Sequence, residues 1–180
     1  MRWFWALVLG LSLAACSAAP VENMSEADME GACMWGHTKA CNELGKIEAK
    51  KNNYPKAAKL FRQACQEGSP QGCGNLGRCY WLGRGVEKDL VQAEKLQAQA
   101  CDAGVVISCT NLGIMHTTKA ITSRSGEEVL ALFEKACDGG HHRGCFEAAY
   151  MQDVGEMVAR NRVKAVAIYE KICSRSFLVA

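Results

Sequence analysis

The apolar positions of this chain recur three and four residues apart, a spacing that places side chains on one face of an α-helix. Small and large residues have fixed places in front of a series of cysteines. Small residues stand eight positions before these cysteines (Ala57, Ala93, Val129 and Ala165), large aliphatic residues stand five positions before them (Leu60, Leu96, Leu132 and Ile168), and Ala64, Ala100, Ala136 and Ile172 precede them directly. The pattern predicts a helix that ends close to each cysteine, for example over residues Tyr54 to Gln66.

A further helix is predicted to begin near a second cysteine, eight positions after the first. The first cysteines stand at residues 33, 65, 101, 137 and 173, so the successive steps are 32, 36, 36 and 36 residues. A glycine three residues after each of the first four of these cysteines suits a helix end with positive φ, and these glycines are Gly36, Gly68, Gly104 and Gly140, whereas Ser176 stands at that place after Cys173. A period of this length, with two helices in each unit, is typical of a solenoid.

The second full unit has the sequence GCGNLG at residues 72–77, a tyrosine at position 80, the connector GRGVEKD at residues 83–89 and an alanine at position 93. These motifs resemble the Sel-one-like repeat, a relative of the tetratricopeptide repeat. The cysteine spacing resembles its cysteine-rich bacterial branch, the Hcp-type β-lactamase-like proteins. The resemblance covers residues 25–180 and implies an all-α, right-handed solenoid of antiparallel helix pairs, with about four 36-residue units of which the last is incomplete. It also implies an internal disulfide in each helix pair, namely Cys33–Cys41, Cys65–Cys73, Cys101–Cys109 and Cys137–Cys145.

The cysteine pairs have one competing interpretation, as ligands of a metal ion. Structural zinc sites place two cysteines two to four residues apart on a tight turn, whereas seven residues separate the members of each pair here and no C-x-x-C occurs. The spacing favours disulfides, and we predict neither a metal nor another cofactor. Eleven cysteines in 180 residues also indicate an oxidising compartment.

The first residues of the chain predict export. Arg2 precedes an apolar run from Trp3 to Ala15, which has the length of a signal-peptide core and is too short to cross a bilayer. The run ends in the letters LAAC, which resemble a bacterial lipobox. Residues 1–15 are therefore predicted to be a lipoprotein signal peptide, Cys16 the lipidated residue and residues 16–24 a linker, whereas the alternative is an ordinary signal peptide cleaved after residue 19. The lipobox places the chain in a bacterial cell envelope, as an outer-membrane lipoprotein that faces the periplasm or the surface.

Two further cysteines have no partner in the pattern. Cys79 stands at a position that is apolar in the other units, so we expect a buried and unreactive free thiol. Cys173 begins a fifth step, and the position of its partner would be residue 181, one past the last residue given. We expect a second free thiol there, and the competing explanations are a dimer linked through Cys173 and a sequence shortened from a longer repeat array.

Function is predicted from the surface of the solenoid. Stacked helix pairs curve and leave a concave face lined by the first helix of each pair, so we expect an envelope scaffold that binds a protein, a peptide or an envelope polymer there. Aromatic and cationic residues are frequent hot spots of binding surfaces, and the candidates are Arg78, Tyr80, Trp81, His116 and Tyr150. A net charge of +2, from 21 basic and 19 acidic residues, argues against nucleic acid as a partner.

The family resemblance also offers an enzymatic alternative, a protein that binds β-lactams or hydrolyses them weakly. Serine enzymes of that kind use an S-x-x-K motif together with K-T-G, and the chain contains neither. Its four histidines do not have the H-x-H-x-D spacing of a metallo-enzyme. We therefore predict no catalytic residue and favour the scaffold over the hydrolase.

Overall fold

A computed structural model describes residues 20–176, and over this range all of the regular secondary structure is helical. One 3-10 turn, Val21–Asn23, precedes nine α-helices within the described residues. The helices are α1 Glu26–Met34, α2 Thr38–Lys50, α3 Tyr54–Gln66, α4 Pro70–Leu82, α5 Leu90–Asp102, α6 Val106–Thr117, α7 Gly126–Asp138, α8 His142–Val154 and α9 Arg162–Ser176. The bounds of α3 are those predicted from the apolar spacing.

Local side chains explain where several helices begin. The Ser25 hydroxyl accepts a hydrogen bond from the Asp28 backbone N–H at 3.2 Å and caps α1. Asp89 caps α5 in the same way, and Ser125 forms a reciprocal capping box with Glu128 at the start of α7. Each cap satisfies backbone donors that would otherwise lack a partner in the first helical turn.

Glycines with positive φ explain where α1, α3, α5 and α7 end. Residues of this kind follow α1, α3, α5 and α7, as predicted: Gly36, Gly68, Gly104 and Gly140. At Gly68 the backbone N–H donates to the Cys65 carbonyl at 3.0 Å, and the next N–H, of Ser69, reaches back to the Ala64 carbonyl at 2.8 Å. A residue with a side chain rarely adopts this left-handed conformation, so glycine fixes the turn.

Each helix packs against the helix before it and the helix after it in the sequence, and α2 also contacts α4 while α6 contacts α8. The buried side chains of the described helices form five small clusters along the array rather than one central core. This arrangement is that of a solenoid, in which every repeat depends on its neighbours. The α2, α4, α6 and α8 helices are the first helices of the pairs and lie along one side of the array.

A glycine on a first helix and an aromatic ring on the following helix set the closest approach in two units. An added Cβ at Gly45 would lie 2.6 Å from the Phe61 ring, and one at Gly113 would lie 2.5 Å from the Phe133 ring. Both rings are almost completely buried. The α2 and α3 helices, and likewise α6 and α7, therefore pack ring against backbone, and a larger residue at either glycine would force the ring to move.

All four predicted disulfides are present, and the all-α solenoid with a disulfide in each hairpin is confirmed. The Cα atoms of the bonded pairs are 4.7, 4.5, 4.7 and 4.4 Å apart, in the order Cys33–Cys41, Cys65–Cys73, Cys101–Cys109 and Cys137–Cys145. Each bond joins the last turn of one helix to the first turn of the next. Closing a loop of this length stabilises the chain by about 2.5 kcal/mol in the chain-entropy account.

Candidate functional site

Three adjoining clefts form a groove along the boundary between α2 and α4. We call this feature the groove, and it runs from the N-terminal ends of the two helices to their C-terminal ends. The first cleft is bounded by the starts of α2 and α4 and by residues 68–70, the second extends across to α6, and the third lies at the C-terminal ends beside the start of α3. Neighbouring clefts share lining residues, which are Asn42, Glu43 and Gln71 at the first junction and Lys46 and Arg78 at the second.

Four of the residues that line the middle of the groove carry side-chain amides. Asn75 Nδ2 donates a hydrogen bond to Asn42 Oδ1 at 2.8 Å, which connects α4 to α2. Gln71 and Asn111 complete the lining of amides. An amide offers both donors and an acceptor, so this part of the groove can hydrogen-bond to the backbone of an extended chain without selecting a particular side chain.

The C-terminal end of the groove is cationic. We call it the cationic cleft, a space of about 280 Å³ whose rim carries Lys46, Lys50, Arg78 and Arg84 and whose floor is apolar. The floor is formed by Ala49, Phe61, Cys79 and Leu82. No carboxylate is found among the described residues that line it.

Three of the four cations carry a charge that no neighbouring carboxylate neutralises. Lys46 Nζ pairs with Glu43 at 2.6 Å. Over residues 20–176 no ion pair or hydrogen bond involves the side chains of Lys50 and Arg78, and Arg84 only places its guanidinium 5.3 Å from the centre of the Tyr54 ring. The cationic cleft therefore presents uncompensated positive charge above an apolar surface.

The floor of this cleft includes the free thiol of Cys79, which is 7% exposed. Burial raises the pKa of the Cys79 thiol, and the charges of Arg78, Arg84 and Arg62 oppose that shift without cancelling it. The sulfur is therefore a neutral thiol near pH 7 and contributes apolar surface rather than a nucleophile.

Of the predicted binding residues, the structure places only Arg78 in the lining of the groove. Arg78 is exposed and lies at the junction of two clefts. Tyr80 and Trp81 are half-buried on α4, and the Tyr80 hydroxyl is 3.3 Å from Arg62 Nη2, which donates to it. Tyr150 is exposed on α8, where its ring stacks on Phe146 at a centroid distance of 6.3 Å. Tyr150 lies outside the groove.

The prediction that His116 belongs to an exposed binding surface is wrong, because this side chain is only 2% exposed. It stands seven positions after Cys109, the second cysteine of its unit, and this position faces the neighbouring helix in every unit. The equivalent residues Glu48 and Gln152 are also buried, and Tyr80 is half-buried. His116 Nε2 lies 3.6 Å from Glu94 Oε1, and desolvation lowers the pKa of the imidazole despite that carboxylate.

Sequence reasoning missed most of the groove. Lys46, Lys50, Arg84 and the amides of Asn42 and Asn75 were not among the candidates. A partial signal did exist, because positions two and five after the second cysteine are at least partly exposed in every unit, although Ile114 packs against the core cluster of α7 and α8. Those positions hold Glu43, Asn75, Asn111 and Glu147, and Lys46, Arg78, Ile114 and Tyr150.

Other predicted sites have different outcomes. Cys173 is a free and exposed thiol on α9. Cys16 and the apolar residues 177–179 lie outside the described residues. No group of three metal-ligating side chains occurs in residues 20–176, and no helix within that range has the length and apolar character needed to cross a membrane.

Comparison with known proteins identifies four copies of one repeat in this chain. The family model described as Sel1 repeat matches residues 30–69, 70–105, 106–141 and 142–177. No curated protein gives a significant sequence match. The first repeat boundaries fall inside α1 and between α3 and α4, so each matched unit contains two complete or nearly complete helices.

Three solved structures have the same architecture. A protective antigen of uropathogenic Escherichia coli is 25% identical with a TM-score of 0.76, and the match covers 83% of this chain and 33% of that one. Cysteine rich protein B of Helicobacter pylori is 27% identical with a TM-score of 0.51, over 68% and 96% of the two chains. A Sel1 repeat protein of Oxalobacter formigenes, at 18% identity and a TM-score of 0.72 over 82% and 61%, supports the fold alone.

The chain thus spans about a third of the length of the E. coli antigen and nearly all of the H. pylori protein. Four contiguous family matches extend over most of the sequence, and the structure shows the same helix pairs in the same places. The chain belongs to the Sel1 repeat family and has its solenoid scaffold fold.

Proposed function

We propose that this protein is a cell-envelope scaffold that binds an extended segment of a protein or peptide in the groove. The observation that carries the proposal is a continuous groove across α2, α4 and α6 that is lined in its middle by four side-chain amides and ends at the unneutralised cations Lys50, Arg78 and Arg84. Sel1 repeats generally mediate contacts between proteins and are generally not enzymes, which supports a binding function for such a surface.

The dimensions of the groove suit a short extended chain. The α2 helix has 13 residues, and a helix of that length measures about 20 Å. An extended chain advances about 3.3 Å per residue, so about six residues occupy the groove. Amides along the middle supply donors and acceptors to the backbone of such a segment, while the cationic cleft receives one end of it.

The envelope location rests on two features of the chain. Four disulfides are stable in an oxidising compartment and are unusual in a reducing one. The N-terminal sequence resembles a lipobox, and we propose that Cys16 carries the lipid that anchors the scaffold to the membrane. Metabolic labelling with a fatty-acid precursor tests the anchor, since the wild type is expected to be labelled and Cys16→Ser is not. Equal labelling of both would contradict the anchor and leave the groove unaffected.

Site-specific photo-crosslinking in the producing cell tests the groove. A photoreactive residue replaces Gln71, which is exposed and lines two of the clefts. The control replaces Lys95, which is exposed on α5 and lines none of them. Both variants keep the buried residues unchanged, so the fold is expected to persist in each.

We expect discrete crosslinked products from position 71 and none of the same products from position 95. The same adducts at both positions would show that contact is nonspecific. No adduct at position 71, with the protein folded and located in the envelope, would contradict a binding function for the groove.

A further inference from the structure

The turn between α1 and α2 carries two large apolar side chains that the structure leaves in water. Met34 is 79% exposed and Trp35 is 89% exposed. We call these two residues the apolar turn. At the same places after the first cysteine, the next three units carry polar or small residues, which are Gln66 and Glu67, Asp102 and Ala103, and Asp138 and Gly139. The repeat therefore does not require apolar side chains there, and the first unit differs from the others in presenting them.

The backbone of the apolar turn already has its hydrogen bonds. The Trp35 N–H donates to the Ala32 carbonyl at 3.2 Å, and the His37 N–H donates to the same carbonyl at 3.0 Å. The disulfide between Cys33 and Cys41 holds the two sides of the turn together, with the Cα atoms 4.7 Å apart. The turn can therefore enter an apolar or interfacial medium without burying an unpaired donor.

The chain enters the described structure beside the apolar turn. The Glu22 carboxylate pairs with Lys39, which lies in the first turn of α2, directly after the apolar turn. Cys16 is four positions before Pro20, the first described residue, and four residues span at most about 14 Å in any conformation. A lipid on Cys16 therefore keeps the start of α2, and the apolar turn next to it, close to the surface of the bilayer.

We propose that the apolar turn docks on the lipid bilayer to which the lipid on Cys16 tethers the chain, with the Trp35 ring at the level of the headgroups. This inference rests on the proposed lipid anchor and adds a membrane-binding surface of the protein itself. Tryptophan is enriched at membrane–water interfaces because its ring is apolar while its indole N–H stays hydrated. The later turns carry aspartate, glutamate or small residues, so the contact is confined to the first unit and the solenoid extends away from the membrane.

Tryptophan fluorescence on tethered vesicles tests the inference. Cys16 of the chain from residue 16 onward is coupled through a maleimide to the headgroups of vesicles of phosphatidylethanolamine and phosphatidylcholine, so the tether does not depend on lipidation in the cell. Every protein carries Cys173→Ser, which removes the exposed thiol of α9. Trp35 and Trp81 are the only tryptophans from residue 16 onward. Trp81→Phe therefore reports on Trp35 alone, and the matched variant Trp35→Phe reports on Trp81 alone.

Lipids brominated in their acyl chains quench a tryptophan that reaches the membrane interface. We expect them to lower the Trp35 emission by about half and to leave the Trp81 emission unchanged, because only the first of these rings meets the bilayer. Met34→Asp gives the apolar turn the residue type of the third and fourth units and is expected to remove most of the quenching, because a charged group resists leaving water. Val163→Asp, the same kind of change at an exposed valine of α9, is expected to keep it. Circular dichroism checks that all variants remain folded.

Equal quenching of Trp35 and Trp81 in proteins that float with the vesicles would overturn the inference, as would undiminished quenching in Met34→Asp. Quenching of Trp35 by aqueous iodide that is as strong on vesicles as in the free protein would also overturn it and would leave a protein as the occupant of the apolar turn. Metabolic labelling of Cys16 is measured separately. Loss of that labelling refutes the anchor, whereas loss of bromolipid quenching on the synthetic tether refutes only the membrane-binding surface.

Discussion

Replacing Gly113 with alanine tests the packing of the Phe133 ring on α7 against the backbone of α6. The new Cβ would lie 2.5 Å from Phe133 Cε1 and 2.7 Å from its Cζ, whereas carbon atoms in contact are ordinarily about 3.5–4.0 Å apart. The ring therefore has to move by about 1 Å. Phe133 is fully buried among Val129, Ala148 and Met151, so the movement displaces those side chains as well.

The expected change in the free energy of unfolding is the difference between two opposing effects. Overpacking a buried site costs about 1–3 kcal/mol, and glycine to alanine in a helix gains about 1 kcal/mol from backbone propensity. We expect Gly113→Ala to lower the free energy of unfolding by up to about 2 kcal/mol. The matched control is Gly31→Ala in α1, where nothing lies within 4 Å of the new Cβ and a gain of about 0.5–1 kcal/mol is expected.

Urea denaturation of the oxidised protein, followed by far-ultraviolet circular dichroism, measures both changes. A second variant, Phe133→Leu, is combined with Gly113→Ala to make room for the Cβ. We expect the double variant to be less destabilised than the sum of the two single changes, because the smaller side chain at position 133 removes the clash with the new Cβ. A Gly113→Ala protein as stable as Gly31→Ala would refute the close packing of the Phe133 ring against α6.

The fourth unit already contains the substitution. Ala149 stands at the position of Gly113, and Tyr169 stands at the position of Phe133. The Tyr169 ring is only half-buried and lies 6.1 Å from the Phe146 ring in a tilted arrangement. A methyl group on the first helix is thus accommodated in this chain where the opposing ring is not enclosed.

Three further predictions concern protonation and cysteines. Desolvation outweighs the attraction of Glu94 and lowers the pKa of His116 below its usual 6.5, so the contribution of the neutral imidazole to stability is complete above pH 6.5 and is lost as the pH falls through the lowered pKa. The Tm of His116→Gln should therefore drop less than that of the wild type between about pH 7.5 and pH 5.5. An equal drop in both proteins would contradict desolvation as the cause. Replacing both Cys101 and Cys109 with serine should lower the free energy of unfolding by about 2.5 kcal/mol in urea titrations, with a change near zero as the contrary result. If the exposed thiol of Cys173 links two chains, a non-reducing gel should show a dimer for the wild type and a monomer for Cys173→Ser, whereas monomers in both lanes would exclude the linkage.

The repeat architecture was predictable because it depends on patterns that recur. The positions of alanine, leucine and cysteine indicated the buried side of each helix, and the helix over residues 54–66 was predicted to the residue. The eight-residue spacing of the cysteines, read with the family resemblance, indicated the four disulfides. These features arise from local chain geometry, which every unit repeats.

The groove was harder to predict because it depends on differences between units rather than on their common pattern. Aromatic character suggested His116 as an exposed residue, but its position is buried between helices in three units and half-buried in the fourth, where it is Tyr80. Lys50 and Arg84 come from a helix end and a connector of different units, so only their arrangement in space reveals that they face one cleft. A repeat pattern contains no information of that kind.

The four disulfides have a consequence for the order in which the chain oxidises. Eight cysteines allow about a hundred pairings, yet every native bond joins a cysteine to the next one along the sequence. The nearest cysteines of neighbouring pairs are 24 or 28 residues apart, and closing such a loop costs about 1 kcal/mol more than closing a nine-residue one. Each bond therefore forms fastest with its correct partner.

Only Cys79 competes at short range, since it stands six residues after Cys73. A thiolate rather than a thiol attacks a disulfide, and burial against Phe61 and Leu76 keeps the Cys79 sulfur protonated once α4 has docked. Before docking, no such protection exists. The second hairpin is consequently the place where oxidative folding of this solenoid is most exposed to scrambling, and its correct pairing depends on α4 reaching α3 before an oxidant reaches Cys79.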